Sequence, residues 1–413
     1  MVARPGRADR DAKAGGGIVV ASASTTSPIP PTGPAARLKL WRAAVDAVYV
    51  KDQKVEDVPG TDPFVGRLRT ARNADPRNPL DALAVRDLVV EIVEGNHFKH
   101  LSEAFAVGNN LRETFARDLP FQYGLGFAAW VDRKKEETVE QALRVVALDR
   151  RQSLGYRLLG MAHLTAGRPT EAYLALMAGM ASCQNAAGLE GFLGLAQNLM
   201  EGRDQVEFAV DGVPYRFLLS CFNGQAMEAA VVHCSGSLTE LAELRFLRDE
   251  VKTAPVILEV GTMVGNHTVF LMKNLKPEKL MAFDADIESI RHTQMNCVLN
   301  DGDDVHTEVV LTHKAIGREA GRINLIGTEV ELTTLDAEMN DASVDLLKID
   351  VDGMELALLE GARALIRRCK PRMLIEISPS NMRDFETFLG EVGYVIQRRF
   401  ERDADTNCFA VPA

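Results

Sequence analysis

Hydrophobic and polar residues follow two different periods along this chain. From Leu38 to about Met200, apolar residues recur at the three- and four-residue spacing of amphipathic helices. After Glu201-Gly202, short runs rich in Val, Ile and Leu alternate with helical patterns, the order expected of a parallel sheet with helices on its faces. The pattern therefore predicts an all-α domain over residues 36–202 and an α/β domain over residues 203–413.

Residues 1–35 carry neither pattern. They are rich in Gly, Ala, Arg, Ser, Thr and Pro, and offer too little apolar surface to offset the entropy of ordering the chain. The apolar stretch Ile18–Ala21 is shorter than the core of a signal peptide, which spans about 7–15 residues. We expect a disordered tail without an export signal.

The amino-acid composition argues against several classes of protein function. The 413 residues include 47 Lys and Arg against 58 Asp and Glu, a formal net charge of −11, which argues against nucleic acid or an anionic membrane as a partner. No run of about 18 apolar residues occurs, so no membrane-spanning helix is expected. Six scattered cysteines without a Cys-x-x-Cys pair are typical of buried thiols in a cytoplasmic protein.

A recurrence of 34 residues appears in the helical half. The pairs Leu125-Gly126, Leu159-Gly160 and Leu193-Gly194 have the period of a tetratricopeptide helix–turn–helix unit. Small residues such as Gly160 and Ala172 would let paired helices approach closely. The stacked units would form either a surface that docks a protein partner or a purely structural cap, and the period alone favours neither.

The second domain opens with a β-hairpin and continues with a strand–glycine–helix unit. Alternating residues on each side of Asp211-Gly212 predict the hairpin, and a helix is expected over residues 238–251. The apolar run Pro255–Val260 then ends at Gly261 and leads through Gly265 into a helix. Asp284 ends the next strand, 25 residues after Glu259, which is the plan of a doubly wound nucleotide site.

The glycine turn favours one ligand over another. A pyrophosphate site needs G-x-G-x-x-G, whereas this turn reads E-x-G-x-x-x-G, with Met263 at the place of the middle glycine and no Lys or Arg in the loop. S-adenosylmethionine carries no phosphate but does carry a sulfonium and an ammonium, so a carboxylate such as Glu259 suits it better than it suits NAD. Asp284 can accept hydrogen bonds from both ribose hydroxyls.

Further strands and helices follow in the same alternating order. A strand over residues 344–349 ends in the acidic cluster Asp350 and Asp352, and apolar spacing from Leu358 to Ile366 predicts one helix behind it. The remaining predicted strands lie at residues 309–311, 373–377, 394–400 and 408–411.

Together these blocks resemble the FkbM family of S-adenosylmethionine-dependent methyltransferases. The resemblance runs from about Val206 to the C-terminus and does not include the helical half. Its most specific stretches are Glu259-Val260-Gly261 with Gly265-Asn266-His267-Thr268, Thr334-Leu335-Asp336, and Lys348-Ile349-Asp350-Val351-Asp352-Gly353 with Glu355 and Gly361-Ala362. The resemblance implies a Rossmann-like, seven-stranded class I methyltransferase sheet with an antiparallel last strand, and O-methylation of hydroxyls on sugars or other metabolites.

Residues of these motifs are the candidate site. The predicted contacts with S-adenosylmethionine are Glu259, Gly261, Gly265, Asn266, His267, Thr268, Asp284 and Ala315. The predicted catalytic residues are Asp350, Asp352 and His267. Asp350 is favoured as the base because it ends the strand beside the cofactor strand; the alternative is that the acids form an ion-paired block or favour a helix N-terminus. A metal shared by Asp350, Asp352 and Glu376 is compelled by no spacing rule, so none is assigned.

The sequence thus predicts an O-methyltransferase that acts on a small hydroxyl-bearing metabolite or a glycan. Two alternatives stay open. One is an N-methyltransferase acting on a protein or an amine, which would need no strong base if the amine were neutral. The other is a non-catalytic scaffold in which a methyltransferase-like domain accompanies a helical docking domain.

Overall fold

The computed structural model describes nine stretches of the chain. They are residues 18–21, 63–94, 100–132, 134–219, 224–302, 306–325, 328–351, 353–402 and 405–413. The predicted catalytic residue Asp352 falls between two of these stretches and therefore lies outside the described residues.

The described part of the N-terminal half is helical, as the apolar spacing predicts. Its helices are α1 (Pro63–Arg72), α2 (Pro79–Glu94), α3 (Leu101–Gly108), α4 (Leu119–Val131), α5 (Lys135–Leu148), α6 (Leu154–Thr165), α7 (Pro169–Ser182) and α8 (Glu190–Met200). Local chemistry fixes several ends: the Asp118 side chain accepts a hydrogen bond from the Phe121 amide at the start of α4, and Pro120 occupies the first turn.

Small residues sit where these helices meet. A β-carbon on Gly160 in α6 would lie 2.8 Å from Leu176 Cδ2 in α7, so only glycine lets the two helices pack at this distance. Gly126 in α4 meets Leu158 of α6 in the same way. Gly167 adopts a positive φ of 68° in the turn between α6 and α7.

A hairpin and two helices connect this half to the sheet. Strands β2 (Gln205–Val210) and β3 (Val213–Leu218) pair antiparallel around Asp211-Gly212, both of which have positive φ, so the predicted hairpin is confirmed. Helices α9 (Gly224–Cys234) and α10 (Leu241–Val251) follow. Met227 and Ala230 of α9 pack into the apolar cluster formed by α6, α7 and α8.

The main sheet carries the site. Its strands are β1 (Ile18–Ala21), β4 (Val256–Val260), β5 (Lys279–Asp284), β6 (Glu308–His313), β10 (Leu346–Ile349), β11 (Arg372–Ile377), β12 (Tyr394–Glu401) and β13 (Thr406–Pro412). Their order is β1-β6-β5-β4-β10-β11-β13-β12, parallel except for the pairs that β13 makes with β11 and β12. Seven of these strands form the predicted mixed Rossmann-like sheet, and β1 extends it at one edge.

Helices cover both faces of the sheet. They are α11 (Asn266–Asn274), α12 (Ile287–Asn300), α13 (Leu335–Met339), α14 (Glu355–Glu360), α15 (Arg363–Cys369) and α16 (Met382–Val392). One apolar core forms between the sheet and α10, α11 and α12; the other forms with α14, α15 and α16. Neighbouring residues Ile257 and Leu258 of β4 point into different cores, as expected of a strand buried on both faces.

The structure differs from the sequence predictions in three places. Strand β1 pairs parallel with β6, so the expectation of a tail without structure is wrong for these four residues. After β6, where the sequence predicts no strand before residue 344, a small three-stranded sheet forms from β7 (Ala315–Ile316), β8 (Gly321–Leu325) and β9 (Thr328–Thr333). The single helix predicted over residues 358–366 is two helices, because Gly361 packs against the Gly317 carbonyl and the Asp336 carboxylate accepts the Ala364 and Leu365 amides.

Within the described residues, no helix combines the length and apolar character that crossing a membrane requires. The five cysteines in this part of the chain have free thiols, and Cys297 and Cys408 are buried.

Candidate active site

The turn after β4 is built from left-handed backbone. Gly261, Met263 and Gly265 have φ values of 86°, 50° and 76°. The Gly261 amide donates to the Phe283 carbonyl at 2.9 Å, which ties the turn to the end of β5. The loop therefore presents backbone, with glycine at two of the positions where positive φ is needed.

Gly261 also lies directly against the end of β10. A β-carbon on Gly261 would overlap the Asp350 carbonyl oxygen, so only glycine fits here. The Asp350 amide donates to the Val260 carbonyl at 2.9 Å, which continues the β4–β10 pairing up to the site. The predicted cofactor turn and the predicted catalytic acid are thus immediate neighbours.

Asp284 holds the other side of the turn. Its Oδ2 accepts the amides of Thr262 at 2.8 Å and Met263 at 3.2 Å, and its Oδ1 accepts the Asp286 amide at 2.8 Å. The carboxylate is half-buried at the end of β5, and Oδ2 also accepts the Thr262 hydroxyl at 3.2 Å, so the remaining acceptor capacity is on Oδ1. Asp284 therefore orders the loop and remains available to a hydroxyl-bearing ligand.

Glu259 is fully buried at the end of β4. Its Oε2 accepts the Thr268 hydroxyl at 2.7 Å, whereas its Oε1 has no hydrogen-bond partner among the described residues and lies 3.7 Å from Lys348 Nζ. Burial raises the pKa of the Glu259 carboxyl, and Lys348 and Thr268 work against that rise. The orphaned oxygen is an acceptor in need of a donor.

Lys348 is a buried ammonium between the two strands. Its Nζ lies 3.2 Å from Asp350 Oδ2 and donates to the Gly261 carbonyl at 3.0 Å. Burial disfavours its charge, but Asp350, Glu259 and Glu240 together raise the pKa of Lys348. It remains charged and links the glycine turn to the acids.

Asn266 fastens a neighbouring loop to the start of α11. Its amide group bonds to both backbone groups of Thr239, at 3.2 Å to the amide and 3.1 Å to the carbonyl, and its Oδ1 lies 3.0 Å from His233 Nε2. The Asn266 side chain is 3% exposed. These contacts with Thr239 and His233 hold the Asn266 side chain in the protein scaffold and place Glu240, the residue after Thr239.

Glu240, His267 and Asp350 converge beside the turn. One side-chain oxygen or nitrogen from each lies within 4.8 Å of the others. His267 Nε2 is 3.3 Å from Glu240 Oε2 without the alignment of a hydrogen bond, and it has no hydrogen-bond partner in the described part of the chain. Burial and the nearby charge of Lys348 lower the pKa of His267 to about 4, so its ring is neutral at physiological pH.

The C-terminal hairpin supplies the outer side of this cluster. Arg402 follows β12 and bridges Glu240 Oε1 at 2.5 Å and Glu376 Oε2 at 2.6 Å. Burial opposes ionisation of Glu240, but His267, which is protonated in the acid range where Glu240 titrates, acts with Arg402 and Lys348 to lower the pKa of Glu240 to about 2. Burial and the carboxylates of Asp350 and Asp405 instead raise the pKa of Glu376 to about 9.

Other predicted residues have mainly structural contacts. Thr268 is fully buried on Glu259, and Ala315 is buried in β7. In the Thr334-Leu335-Asp336 motif, Thr334 caps α13 and Asp336 caps α15. These contacts do not test whether Thr268 and Ala315 touch a cofactor, so that assignment stays a prediction.

Sequence reasoning missed Glu240 and Arg402. Glu240 lies in a loop, 27 residues before His267. Its backbone has a positive φ of 55°, which the sequence does not indicate because the residue is a glutamate and not a glycine. Arg402 lies beyond the last family-like motif. Both reach the site through tertiary folding, and no local pattern in the sequence points to them.

Comparison with known proteins agrees with this geometry. Residues 259–396 match the sequence model of the methyltransferase FkbM domain. None of the curated proteins matches the chain significantly. The matched segment contains the glycine turn, Asp284, Lys348 and Asp350, and the chain is an S-adenosylmethionine-dependent methyltransferase.

Several solved structures share similarity with the chain at low identity. A methyltransferase FkbM from Methylobacillus flagellatus KT is 15% identical with a TM-score of 0.35, covering 68% of this chain and 70% of its own. M. jannaschii TYW2, solved with AdoMet, is 9% identical with a TM-score of 0.30, covering 51% of this chain and 87% of its own. M. capricolum TrmK, solved with S-adenosylhomocysteine, is 14% identical with a TM-score of 0.27, covering 40% and 67%.

The residues present fit S-adenosylmethionine. The turn presents left-handed backbone at Gly261, Met263 and Gly265, and the buried Glu259 Oε1 lacks a donor within the described ranges. Asp284 stands at the end of the adjacent strand, where its Oδ1 keeps acceptor capacity for a hydroxyl. Residues 261–265 include no Lys or Arg, the side chains that a phosphate-binding turn would use.

Proposed function

We propose that this methyltransferase methylates a hydroxyl group of a sugar, a glycan or another small metabolite. The observation that carries the proposal is the cluster of Glu240, His267 and Asp350, whose acceptor atoms lie within 4.8 Å of one another beside the cofactor turn. A hydroxyl must lose its proton as it becomes methylated, and these groups can receive that proton where the acceptor would meet the cofactor.

The cofactor would be held by backbone and by two acids. Gly261 and Gly265 provide the turn, Glu259 offers its unpartnered oxygen, and Asp284 offers acceptor oxygens at the end of β5. When bound, S-adenosylmethionine supplies an electrophilic methyl group whose leaving group is a neutral thioether. The protein's main contribution is alignment, which supplies about 7–11 kcal/mol in well-oriented reactions.

Asp350 is the proposed base. Its side chain is 29% exposed, so a substrate can reach it, and its Oδ2 lies 3.2 Å from Lys348 Nζ. The Asp350 carboxylate would take the proton from the acceptor hydroxyl while the hydroxyl oxygen forms its bond to carbon. General-base assistance of this kind contributes about 10²–10⁴-fold. Neutral His267 is the second candidate for the same proton, whereas Asp352 remains a prediction outside the described residues.

The helical half has a separate proposed role. We propose that α4 to α8 form a tetratricopeptide-like stack that docks a protein partner or a substrate carrier. The support is the repeated glycine at helix contacts and the exposed apolar side chains Leu174 and Met177 on α7. The free thiols of the described cysteines fit the proposed cytoplasmic setting.

A labelled-methyl experiment tests the reaction. The protein is incubated with methyl-labelled S-adenosylmethionine and a small-molecule extract, and the labelled product is identified. We expect label on a hydroxyl oxygen, and we expect Asp350→Asn to bind cofactor normally but to lose at least about 100-fold in turnover. Asp341→Asn, at an exposed acid away from the site, is the matched control.

Each other outcome has a defined meaning. Label on nitrogen, with turnover unaffected by Asp350→Asn, would replace the proposal by an N-methyltransferase. Cofactor binding without label in any fraction, small-molecule or protein, would favour the non-catalytic scaffold.

A further inference from the structure

We propose that Glu240, His267 and Asp350 bind a divalent transition-metal cation of the Mn²⁺, Fe²⁺, Co²⁺ or Zn²⁺ class, which would orient the acceptor oxygen. The inference rests on the proposed function for its purpose, because the cation would polarise a hydroxyl beside Asp350. Its binding, however, depends only on these three side chains and can be measured without any substrate.

The first support is the buried imidazole. His267 is 7% exposed, and its Nε2 points at Glu240 without a hydrogen-bond partner in the ranges that the structure describes. A buried polar atom left in this state normally has a missing partner such as a water or an ion.

The second support is the spacing of the donor atoms. Ligands about 2.0–2.2 Å from one metal lie roughly 3.0–3.5 Å from each other. The His267 Nε2 to Glu240 Oε2 distance of 3.3 Å is already in this range, and all three donors lie within 4.8 Å. Small side-chain rotations of Asp350, whose side chain is 29% exposed, would close the remaining gap.

The third support is the balance of charge around the three donors. Four carboxyl groups in and beside the cluster share the two cations Lys348 and Arg402; they are those of Glu240, Glu259, Asp350 and Asp405. The Lys348 ammonium lies between Glu259 and Asp350 and also bonds to the Gly261 carbonyl. The surplus of negative charge attracts a further cation despite these two.

Outer contacts hold the donors in place. Glu240 accepts Arg402 on Oε1 and the Asn407 amide on Oε2 at 3.0 Å, and Asp350 accepts Lys348 on Oδ2. Metal-binding carboxylates are usually oriented by such partners. One imidazole with two carboxylates suits transition metals better than Ca²⁺ or Mg²⁺, which favour oxygen donors alone.

The proposed ligands differ from the set considered from the sequence, which was Asp350, Asp352 and Glu376. Glu376 is paired with Arg402, and Arg402 in turn is paired with Glu240, the residue beside His267. Glu240 takes its place, and His267 contributes a nitrogen that the acidic motif alone does not have.

The test titrates Mn²⁺ alone into chelator-treated full-length protein and follows free Mn²⁺ by electron paramagnetic resonance. We expect one bound Mn²⁺ per chain, with an affinity at least tenfold lower in His267→Ala and in Glu240→Gln. His163→Ala is the matched control, because His163 in α6 also has a buried, unpartnered Nδ1 within the described residues. It should bind like the unmodified protein.

Three results would overturn the inference: no stoichiometric Mn²⁺, affinity unchanged in Glu240→Gln, or equal affinity in every variant, which indicates adventitious binding. Glu240→Gln and Asp350→Asn preserve side-chain shape and carry the test if His267→Ala fails to fold, as judged by its melting curve.

Parallel assays separate this inference from the proposed function. Methyl transfer to a hydroxyl that survives complete chelation would overturn the cation's role in orienting the acceptor oxygen and leave the proposed function intact. Mn²⁺ binding without methylation of any hydroxyl would leave the site intact and overturn the function.

Discussion

The backbone of Gly261 packs against the backbone of Asp350, because the Asp350 carbonyl oxygen occupies the space that a β-carbon on residue 261 would need. This contact joins the proposed cofactor turn to the end of β10, which carries the proposed base. In the proposed reaction, two neighbouring parallel strands would therefore place the cofactor and the base beside each other.

Substituting Gly261 tests this contact. We expect Gly261→Ala to lower the free energy of unfolding by about 2–4 kcal/mol, since it combines a left-handed φ of 86° with a backbone overlap. Gly390→Ala on the exposed side of α16, where nothing lies within 4 Å, should raise it by about 0.5–1 kcal/mol. Equal denaturation midpoints for the two variants would contradict the packing.

The buried ammonium of Lys348 is the second test. Lys348→Met leaves Glu259 and Asp350 without their shared cation, so we expect a loss of about 3–5 kcal/mol in unfolding free energy. Lys279→Met breaks an exposed pair with Glu308 and should cost at most about 1 kcal/mol. Urea denaturation measures the free energy of unfolding of both variants. Similar losses in the two variants would show that the buried Lys348 pairs stabilise the fold no more than an exposed pair does.

The pH dependence of stability follows from Glu376. Its folded-state pKa of about 9 lies above the ordinary 4.5, so the folded protein binds the proton more tightly than the unfolded chain. Its contribution is therefore present below about pH 4.5 and is lost as the pH rises towards 9. We expect Glu376→Gln to stabilise the protein more at about pH 8 than at about pH 5, as measured by thermal melts.

Glu386→Gln, at an exposed acid paired with Arg399, is the control for this effect. A stability difference between Glu376→Gln and the unmodified protein that stays constant between the two pH values would contradict a raised pKa for Glu376.

Asn266 offers a test of how Glu240 is placed. Asn266→Ala leaves both backbone groups of Thr239 and the ring of His233 without their partner, which we expect to cost about 2–5 kcal/mol. Amide hydrogen exchange should quicken at Thr239 and Glu240. Asn73→Ala, at an exposed asparagine whose side-chain amide donates to the Arg69 carbonyl, should change stability by less than about 0.5 kcal/mol. Unchanged exchange at Thr239 would show that Asn266 does not position the loop.

Local sequence patterns predicted most of the fold because strands buried on both faces have unbroken apolar runs, as in β4 and β10. They failed where distant contacts decide the outcome. The helix predicted over residues 358–366 breaks because Asp336, 28 residues before Ala364, caps its second half. Strand β1 forms because an edge of β6 is available to pair with it, which residues 18–21 alone do not reveal.

Local sequence patterns likewise predicted only part of the candidate site. Glu259, Gly261, Asp284 and Asp350 were identified because each ends a strand or forms the turn after it, and parallel strands bring their carboxyl ends together. Glu240 and Arg402 were missed because they reach the cluster from a loop and from the C-terminal hairpin. The sequence predicts a cofactor contact for Asn266, which stays a prediction; in the structure, its side chain also holds the loop before Glu240.

Calorimetric titration of S-adenosylmethionine, with NADH in a parallel cell, tests the central claim most directly. We predict one S-adenosylmethionine bound per chain, no heat from NADH, an affinity at least about tenfold (~1.4 kcal/mol) weaker in Asp284→Asn, and no change in Asp341→Asn. Binding of NADH without S-adenosylmethionine, or equal affinity in the Asp284→Asn and Asp341→Asn variants, would contradict the assignment of the glycine turn.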